Sequence, residues 1–272
     1  MKIHQLEQGS DEWFALRKGR LTASSYDKVI SAKKVKYAEL IKDPRKEAVY
    51  VTPRAAKQQE VLDELLDGGA MPASTLNSSG LSGLVEKEVA RVYDEELVSL
   101  NFPAAHKHID NLLEGILYDE DDLQGFKPSW AMERGTRLEP IARIDFEMRT
   151  GIDVTEVGFV TNDSFGEHIG CSPDGLIDGG KGGLEIKCPL PATHFKYHRE
   201  GVLPKEYRAQ VHGCMAVCDS EYWHFTSFCP NLKDFSLRVY KDDYTESLAA
   251  ALKQFNELFI SRLARAEQLK TQ

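Results

Sequence analysis

The stretch 171–188 constrains this chain more than any other. It reads Cys171-Ser172-Pro173-Asp174-Gly175 and then, past a glycine-rich turn, Leu184-Glu185-Ile186-Lys187-Cys188. Glycines at 175, 179, 180, 182 and 183 mark it as strand, turn and return strand. Side chains alternate along a strand, so Glu185 and Lys187 share one face and Ile186 takes the other. The hairpin places Asp174 next to Glu185.

Two close carboxylates repel unless a cation sits between them. Oxygen-only ligands select a hard ion, Mg²⁺ or Mn²⁺, over zinc. Ile186 turns its side chain to the core, which leaves its carbonyl as a third ligand. Lys187 stands beside this metal position. A cation there orients the attacking water and stabilises charge on a phosphorane-like transition state. Burial beside the metal would lower the Lys187 pKa.

Glu139 is a further candidate ligand, in Gly135-Thr136-Arg137-Leu138-Glu139-Pro140. An acid followed by proline inside a helical run breaks a local rule, and such breaks cluster at functional sites. Tyr207 and Gln210, at helical i, i+3 spacing, face the substrate or the lysine. His168 and His212 read as structural histidines.

Around this hairpin the periodicity alternates between helix and strand. Ser10 caps a first helix that Gly19 ends, and the spacing predicts a helix over 131–150 stopped by Gly151. Candidate strands follow at 154–160, 169–172 and 184–188, then helices at 191–200 and 205–218. An aromatic-rich strand pair spans 222–228 and 235–240, and an amphipathic helix spans 243–270. The order implies an α/β fold with one mixed central sheet flanked by helices, in a single domain over 1–272. Residues 31–130 read as a largely helical insertion within it, with helical spacing at 57–66 and 80–97. Lys33, Lys34 and Lys36 form a basic cluster there, and Asp119-Glu120-Asp121-Asp122 reads as a solvated loop.

The net charge of −9 argues against a passive DNA-coating surface more than against a carboxylate metal site. Five cysteines without a CxxC pair read as reduced, buried thiols. The chain shows neither a secretory stretch at Met1-Lys2-Ile3-His4-Gln5 nor a run of 18 apolar residues, so a cytoplasmic protein is expected.

The Pro-Asp…Glu-x-Lys hairpin resembles that of the restriction-endonuclease-like superfamily. Several further segments resemble the phage lambda exonuclease, or YqaJ-like viral recombinase, family. They are Glu7-Gln8-Gly9-Ser10-Asp11-Glu12-Trp13, Leu16-Arg17-Lys18-Gly19, Leu21-Thr22-Ala23-Ser24, the Glu139 helix, Val154-Thr155-Glu156 and Ala209-Gln210-Val211. The likeness covers residues 5–30 and 131–265. It implies a restriction-endonuclease-like core and a Mg²⁺-dependent nuclease that degrades one strand of duplex DNA from its 5′ end. By the same resemblance Asp174, Glu185 and the Ile186 carbonyl hold metal, Glu139 completes a second metal position, Lys187 is catalytic and Gln210 supports the site. Arg17, Ser24 and Ser172 form the pocket for a terminal 5′-phosphate. Many family members form a ring-shaped trimer around DNA and work with a single-strand annealing protein.

Two other readings use the same residues. One is an endonuclease, including an iron–sulfur type, which the absence of cysteine from 230–272 disfavours. The other is a non-catalytic DNA-end-binding recombination adapter. Such proteins lose a ligand or the lysine, whereas this chain keeps Asp174, Glu185 and Lys187.

Overall fold

The computed structural model describes residues 1–35, 95–117 and 129–269. Contacts divide the chain into two compact units, one of 1–31, 99–241 and 245–272, the other of 32–98 and 242–244.

The larger unit holds two four-stranded sheets. The first has β1 (Lys2–His4), β5 (Phe159–Thr161), β6 (Ile169–Cys171) and β2 (Leu21–Thr22), side by side in that order. The second runs β10 (Phe235–Tyr240), β9 (Tyr222–Ser227), β8 (Gly182–Lys187) and β7 (Gly175–Ile177). It is mixed: β8 pairs with β9 in parallel, and the other neighbours are antiparallel. The helices are α1 (Asp11–Arg17), α2 (Phe102–Leu117), α3 (Trp130–Thr150), α4 (Pro191–Glu200), α5 (Lys205–Cys218) and α6 (Asp243–Glu267).

The sequence predicts one continuous mixed sheet, and the structure splits it between β6 and β7. Only Ser172-Pro173-Asp174 separates these strands. Proline has no N–H to extend a ladder, so pairing stops at this point. The chain then joins the second sheet, where the Asp174 N–H donates to the Leu184 carbonyl at 3.2 Å. The strand expected over 154–160 shortens to β5, preceded by a single bridge between Thr155 and Leu176.

The hairpin glycines divide into two kinds. Gly179 and Gly180, with φ of 67° and 100°, make the turn. Gly175 lies within β7, where a Cβ would fall 2.1 Å from Val154 Cγ1. Residues 153–156 therefore pack directly on the strand that follows Asp174.

Helix α3 starts at Ser129, whose hydroxyl accepts from the Met132 N–H at 3.3 Å, and ends at Gly151 in the left-handed region. Ala142 and Phe146 pack on Ile177, Leu184 and Ile186. Burying each large side chain of this kind contributes about 1.5–3 kcal/mol. That packing fixes α3, and Glu139 with it, against β8.

Of residues 31–130, the described part forms most of β3 (Ile30–Val35), β4 (Glu95–Leu100) and α2. Strands β3 and β4 pair with each other, so β4 replaces the end of the helical run expected over 80–97. The spacing at 57–66, the rest of the 80–97 run, the basic side chains at 33, 34 and 36 and the acidic run at 119–122 lie outside the described residues. Among the described residues, no helix is long and apolar enough to cross a membrane.

Candidate active site

The second sheet presents Glu185 and Lys187 on one face of β8 and Ile186 on the other, as strand alternation requires. Asp174 enters at the start of β7. Its Oδ2 accepts the Ile186 N–H at 2.5 Å. In an extended strand a residue's N–H and carbonyl leave the backbone on the same side. The Ile186 carbonyl thus faces the Asp174 side, beyond the end of β7.

Glu185 is fully buried. Its Oε1 accepts from Gln210 Nε2 at 2.6 Å and pairs with the Lys187 ammonium. Its Oε2 is buried with no hydrogen-bond partner, and Trp223 Nε1 is the only other such side-chain atom among the described residues. The ammonium of Lys187 lies 4.9 Å over the Tyr207 ring, which stacks on Phe225. Tyr207 and Gln210, one turn apart on α5, therefore meet the lysine and the glutamate respectively.

Glu139 approaches from α3 and is held by Arg143, one helical turn on, at 2.9 Å. Arg143 is itself buried. Its Nε donates to the Asp174 carbonyl at 2.9 Å, and its remaining nitrogen pairs with Glu156.

The electrostatics follow from burial. Desolvation, then the Asp174 charge, lifts Glu139 to about 7 against the pull of Arg143 and Lys187. Desolvation lifts Glu185 to about 8 despite Lys187. Asp174 is raised for the same reason, less the effects of Lys187 and the Ile186 N–H. Lys187 departs from expectation: burial alone lowers its pKa, but Glu185 and Asp174 outweigh burial and raise it.

Among the described residues, no three His, Cys, Asp or Glu side chains already enclose a metal ion. Lys187 and the Ile186 N–H instead occupy carboxylate oxygens that a metal would take. The donor set nonetheless fits a hard divalent cation. It contains only oxygen, and it includes the partnerless Glu185 Oε2. Four carboxylates, Glu139, Glu156, Asp174 and Glu185, meet two cations, Arg143 and Lys187, and one divalent ion would balance the set with all four ionised.

A cleft of about 670 Å³ opens beside Glu139 and Asp174, with Gln8, Trp13, Phe14 and Met132 among its walls. Gln8 ties the N-terminal segment down, donating to the carbonyls of Pro173 and Val157 at 3.0 Å each. Behind Trp13 lies Arg17. Its guanidinium stacks 4.0 Å from the indole and donates to Ser172 Oγ at 2.9 Å and Thr22 Oγ1 at 3.3 Å. The structure therefore brings Arg17 and Ser172 together, two residues from Asp174 along the chain. Ser24 is exposed in the short 3₁₀ helix Ala23–Val29, and the hydroxyl that reaches Arg17 from this segment belongs to Thr22.

Sequence reasoning missed Thr22, Arg143 and Glu156. Arg143 had a signal, its i+4 spacing from Glu139. Thr22 and Glu156 had only their place in the family-like segments Leu21-Thr22-Ala23-Ser24 and Val154-Thr155-Glu156. The two histidines are structural: His168 Nδ1 meets the Gly19 carbonyl at 3.0 Å, and His212 Nδ1 meets Thr245 Oγ1 at 2.7 Å. All five cysteines are free thiols, four of them buried.

The family model described as YqaJ-like viral recombinase domain matches residues 95–221. No curated protein matches the chain in sequence. The crystal structure of an alkaline exonuclease (LHK-Exo) from Laribacter hongkongensis superposes with a TM-score of 0.56 at 23% identity, covering 96% of this chain and 100% of that one. LHK-Exo in complex with dAMP gives 0.59 at 23% identity, covering 95% and 97%. This chain has their mixed α/β, restriction-endonuclease-like fold, and its residues 95–221 resemble a YqaJ-like viral recombinase domain.

Proposed function

We propose that this protein is a Mg²⁺-dependent 5′→3′ exonuclease that degrades one strand of linear duplex DNA from a 5′-phosphorylated end. The observation that carries this reading is the Asp174, Glu185 and Lys187 arrangement, with a buried and unpartnered Glu185 Oε2 beside a second carboxylate. The domain match and the fold shared with an alkaline exonuclease support it.

Asp174, Glu185 and the Ile186 carbonyl hold the cation, and Glu139 serves a second position or a bound water. When bound, Mg²⁺ supplies an activated water and neutralises charge on the scissile phosphate, with Mn²⁺ able to substitute. Lys187 orients the nucleophile and stabilises the developing charge. Gln210 fixes the Glu185 carboxylate through Oε1, which turns Oε2 away from the protein's own donors. Arg17 and Ser172 anchor the terminal 5′-phosphate, with Thr22 completing the hydroxyl set and Ser24 at its exposed margin. An anchored terminus presents the adjoining phosphodiester to Asp174 and its partners, which makes cutting end-dependent. The strand left behind suits a single-strand annealing protein, and a homo-oligomer, such as a ring trimer, would keep the enzyme on its duplex.

The test is digestion of paired linear duplexes that differ only in the 5′-phosphate, alongside a closed circle, with and without Mg²⁺. The expected result is Mg²⁺-dependent loss of the phosphorylated strand, slower loss of the 5′-hydroxyl strand, and an intact circle. Efficient cutting of the circle would move the assignment to an endonuclease. Binding of ends without any hydrolysis would move it to an adapter.

A further inference from the structure

Arg143 is a buried arginine with all three side-chain nitrogens engaged. Nε holds the Asp174 carbonyl at 2.9 Å, one terminal nitrogen holds Glu139 Oε1 at 2.9 Å, and the other pairs with Glu156. These partners come from three separate segments: the hairpin, helix α3 and residues 153–158. Arg143 is positioned in turn by the core, because Ala142 and Phe146 on the same helix pack on Ile177, Leu184 and Ile186.

We infer that Arg143 is the positioning residue of the metal site, a fork that sets Glu139 and the backbone of Asp174 at a fixed mutual distance. The inference rests on the metal-dependent reading above. The physical argument is one of geometry against charge. A guanidinium so close to a divalent-cation site repels the incoming ion, so as a bare charge it weakens binding. Its planar fork, however, makes bonds in fixed directions that a lysine cannot reproduce. Holding two ligands in place before the ion arrives removes the cost of ordering them, and loss of such support typically weakens metal affinity about 10–100-fold. Glu156 has a distinct part. Its side chain is 72% exposed, and it anchors the outer nitrogen so that the inner two stay aimed at Glu139 and Asp174.

The two roles predict opposite signs, which makes the inference testable without DNA. Mn²⁺ binding to the full chain is measured by titration calorimetry for wild type, Arg143→Gln and Arg143→Lys, with circular dichroism and melting curves as the check on folding. A positioning role predicts that Arg143→Gln and Arg143→Lys each weaken Mn²⁺ binding by about 10-fold or more. A role by charge alone predicts tighter binding for Arg143→Gln and no change for Arg143→Lys. Either of those results in folded protein overturns the inference. Arg143→Lys keeps the charge and most of the volume, and it decides the matter if Arg143→Gln does not fold. A Glu139→Gln background gives a further check: with that ligand gone, Arg143→Lys should have a smaller added effect, and full additivity counts against the clamp. If wild type itself binds no Mn²⁺, the metal-dependent reading fails, whereas equal binding by wild type and variants removes the clamp alone.

Discussion

Arg17 donates to the hydroxyl of Ser172 at 2.9 Å, although 155 positions separate them in sequence. Ser172 follows β6, and Thr22, the other hydroxyl on this guanidinium, ends β2, which pairs in parallel with β6. The first sheet thus builds the proposed phosphate anchor, and the second sheet builds the carboxylate cluster. Pro173 and Asp174 carry the chain from one to the other.

The first prediction concerns that anchor. Arg17→Ala should remove the preference for 5′-phosphorylated over 5′-hydroxyl ends while sparing more of the basal cleavage. Arg17→Lys should behave like Arg17→Ala, because an ammonium cannot bridge Ser172 and Thr22 with a fork. The measurement is the ratio of initial rates on the two ends. A lysine variant with the wild-type ratio would show that charge alone anchors the phosphate.

The second prediction concerns Lys187, which makes no contribution to the metal ligands yet pairs with a buried glutamate. Lys187→Met should cut turnover by roughly 10²–10³ or more, the scale of losing a main electrostatic stabiliser. It should also destabilise the fold, because Glu185 loses its cation. Breaking a buried pair costs about 3–5 kcal/mol, reduced here by the 25% exposure of the Lys187 side chain. The double variant Glu185→Gln/Lys187→Met should be more stable than Lys187→Met alone. Urea unfolding of the three proteins reads this directly, and a double variant that is less stable than Lys187→Met would contradict it.

The third prediction concerns Gln210, whose amide donates to Glu185 Oε1 at 2.6 Å. Gln210→Ala leaves every proposed metal ligand in place but frees the Glu185 carboxylate to rotate. Mn²⁺ affinity and turnover should fall together by about 10–100-fold. A loss of turnover with unchanged Mn²⁺ affinity would place Gln210 on the substrate instead.

How much of this was legible in the sequence depends on the range of the interaction involved. Glu185, Ile186 and Lys187 sort onto their faces by strand alternation alone, and α4, α5 and the β9–β10 pair follow from local periodicity. Asp174 beside Ile186 needs only one hairpin. Arg17 was legible only through the family resemblance, because its partners Trp13, Thr22 and Ser172 converge only after β2 and β6 pair. The contact of Thr22 with the guanidinium depends likewise on the pairing of β2 with β6. The division into two sheets was missed because Pro173 interrupts a ladder whose partners are fixed by tertiary packing. The Lys187 pKa went the opposite way from burial because two carboxylates, one from across the hairpin, face it.

The last prediction is a pH dependence of stability set away from the active site. His224 on β9 is buried, and its Nε2 accepts from Arg238 Nε on the paired residue of β10 at 3.1 Å. Accepting through Nε2 requires the neutral ring with its proton on Nδ1. Phe146 and Tyr222 flank the ring, with centroids at 5.3 and 5.7 Å. Burial, then the Arg238 charge, lowers the His224 pKa to about 4, and Asp178 offsets this only in part. Between pH 4 and the ordinary value of 6.5 the unfolded chain binds a proton at this residue that the folded protein refuses. Stability therefore rises with pH through that window, is fully present above 6.5, and is lost as pH falls toward 4. Carboxylates also titrate near the lower end, so the informative quantity is a difference between two proteins. His224→Gln keeps an acceptor for Arg238 but has no proton to gain. Urea midpoints measured for wild type and His224→Gln from pH 7.5 to 4 should converge or cross as the pH falls, with the wild type losing more. Parallel curves across the window would mean that His224 takes up its proton in the folded state as readily as in the unfolded one, and that the Arg238 contact does not hold it neutral.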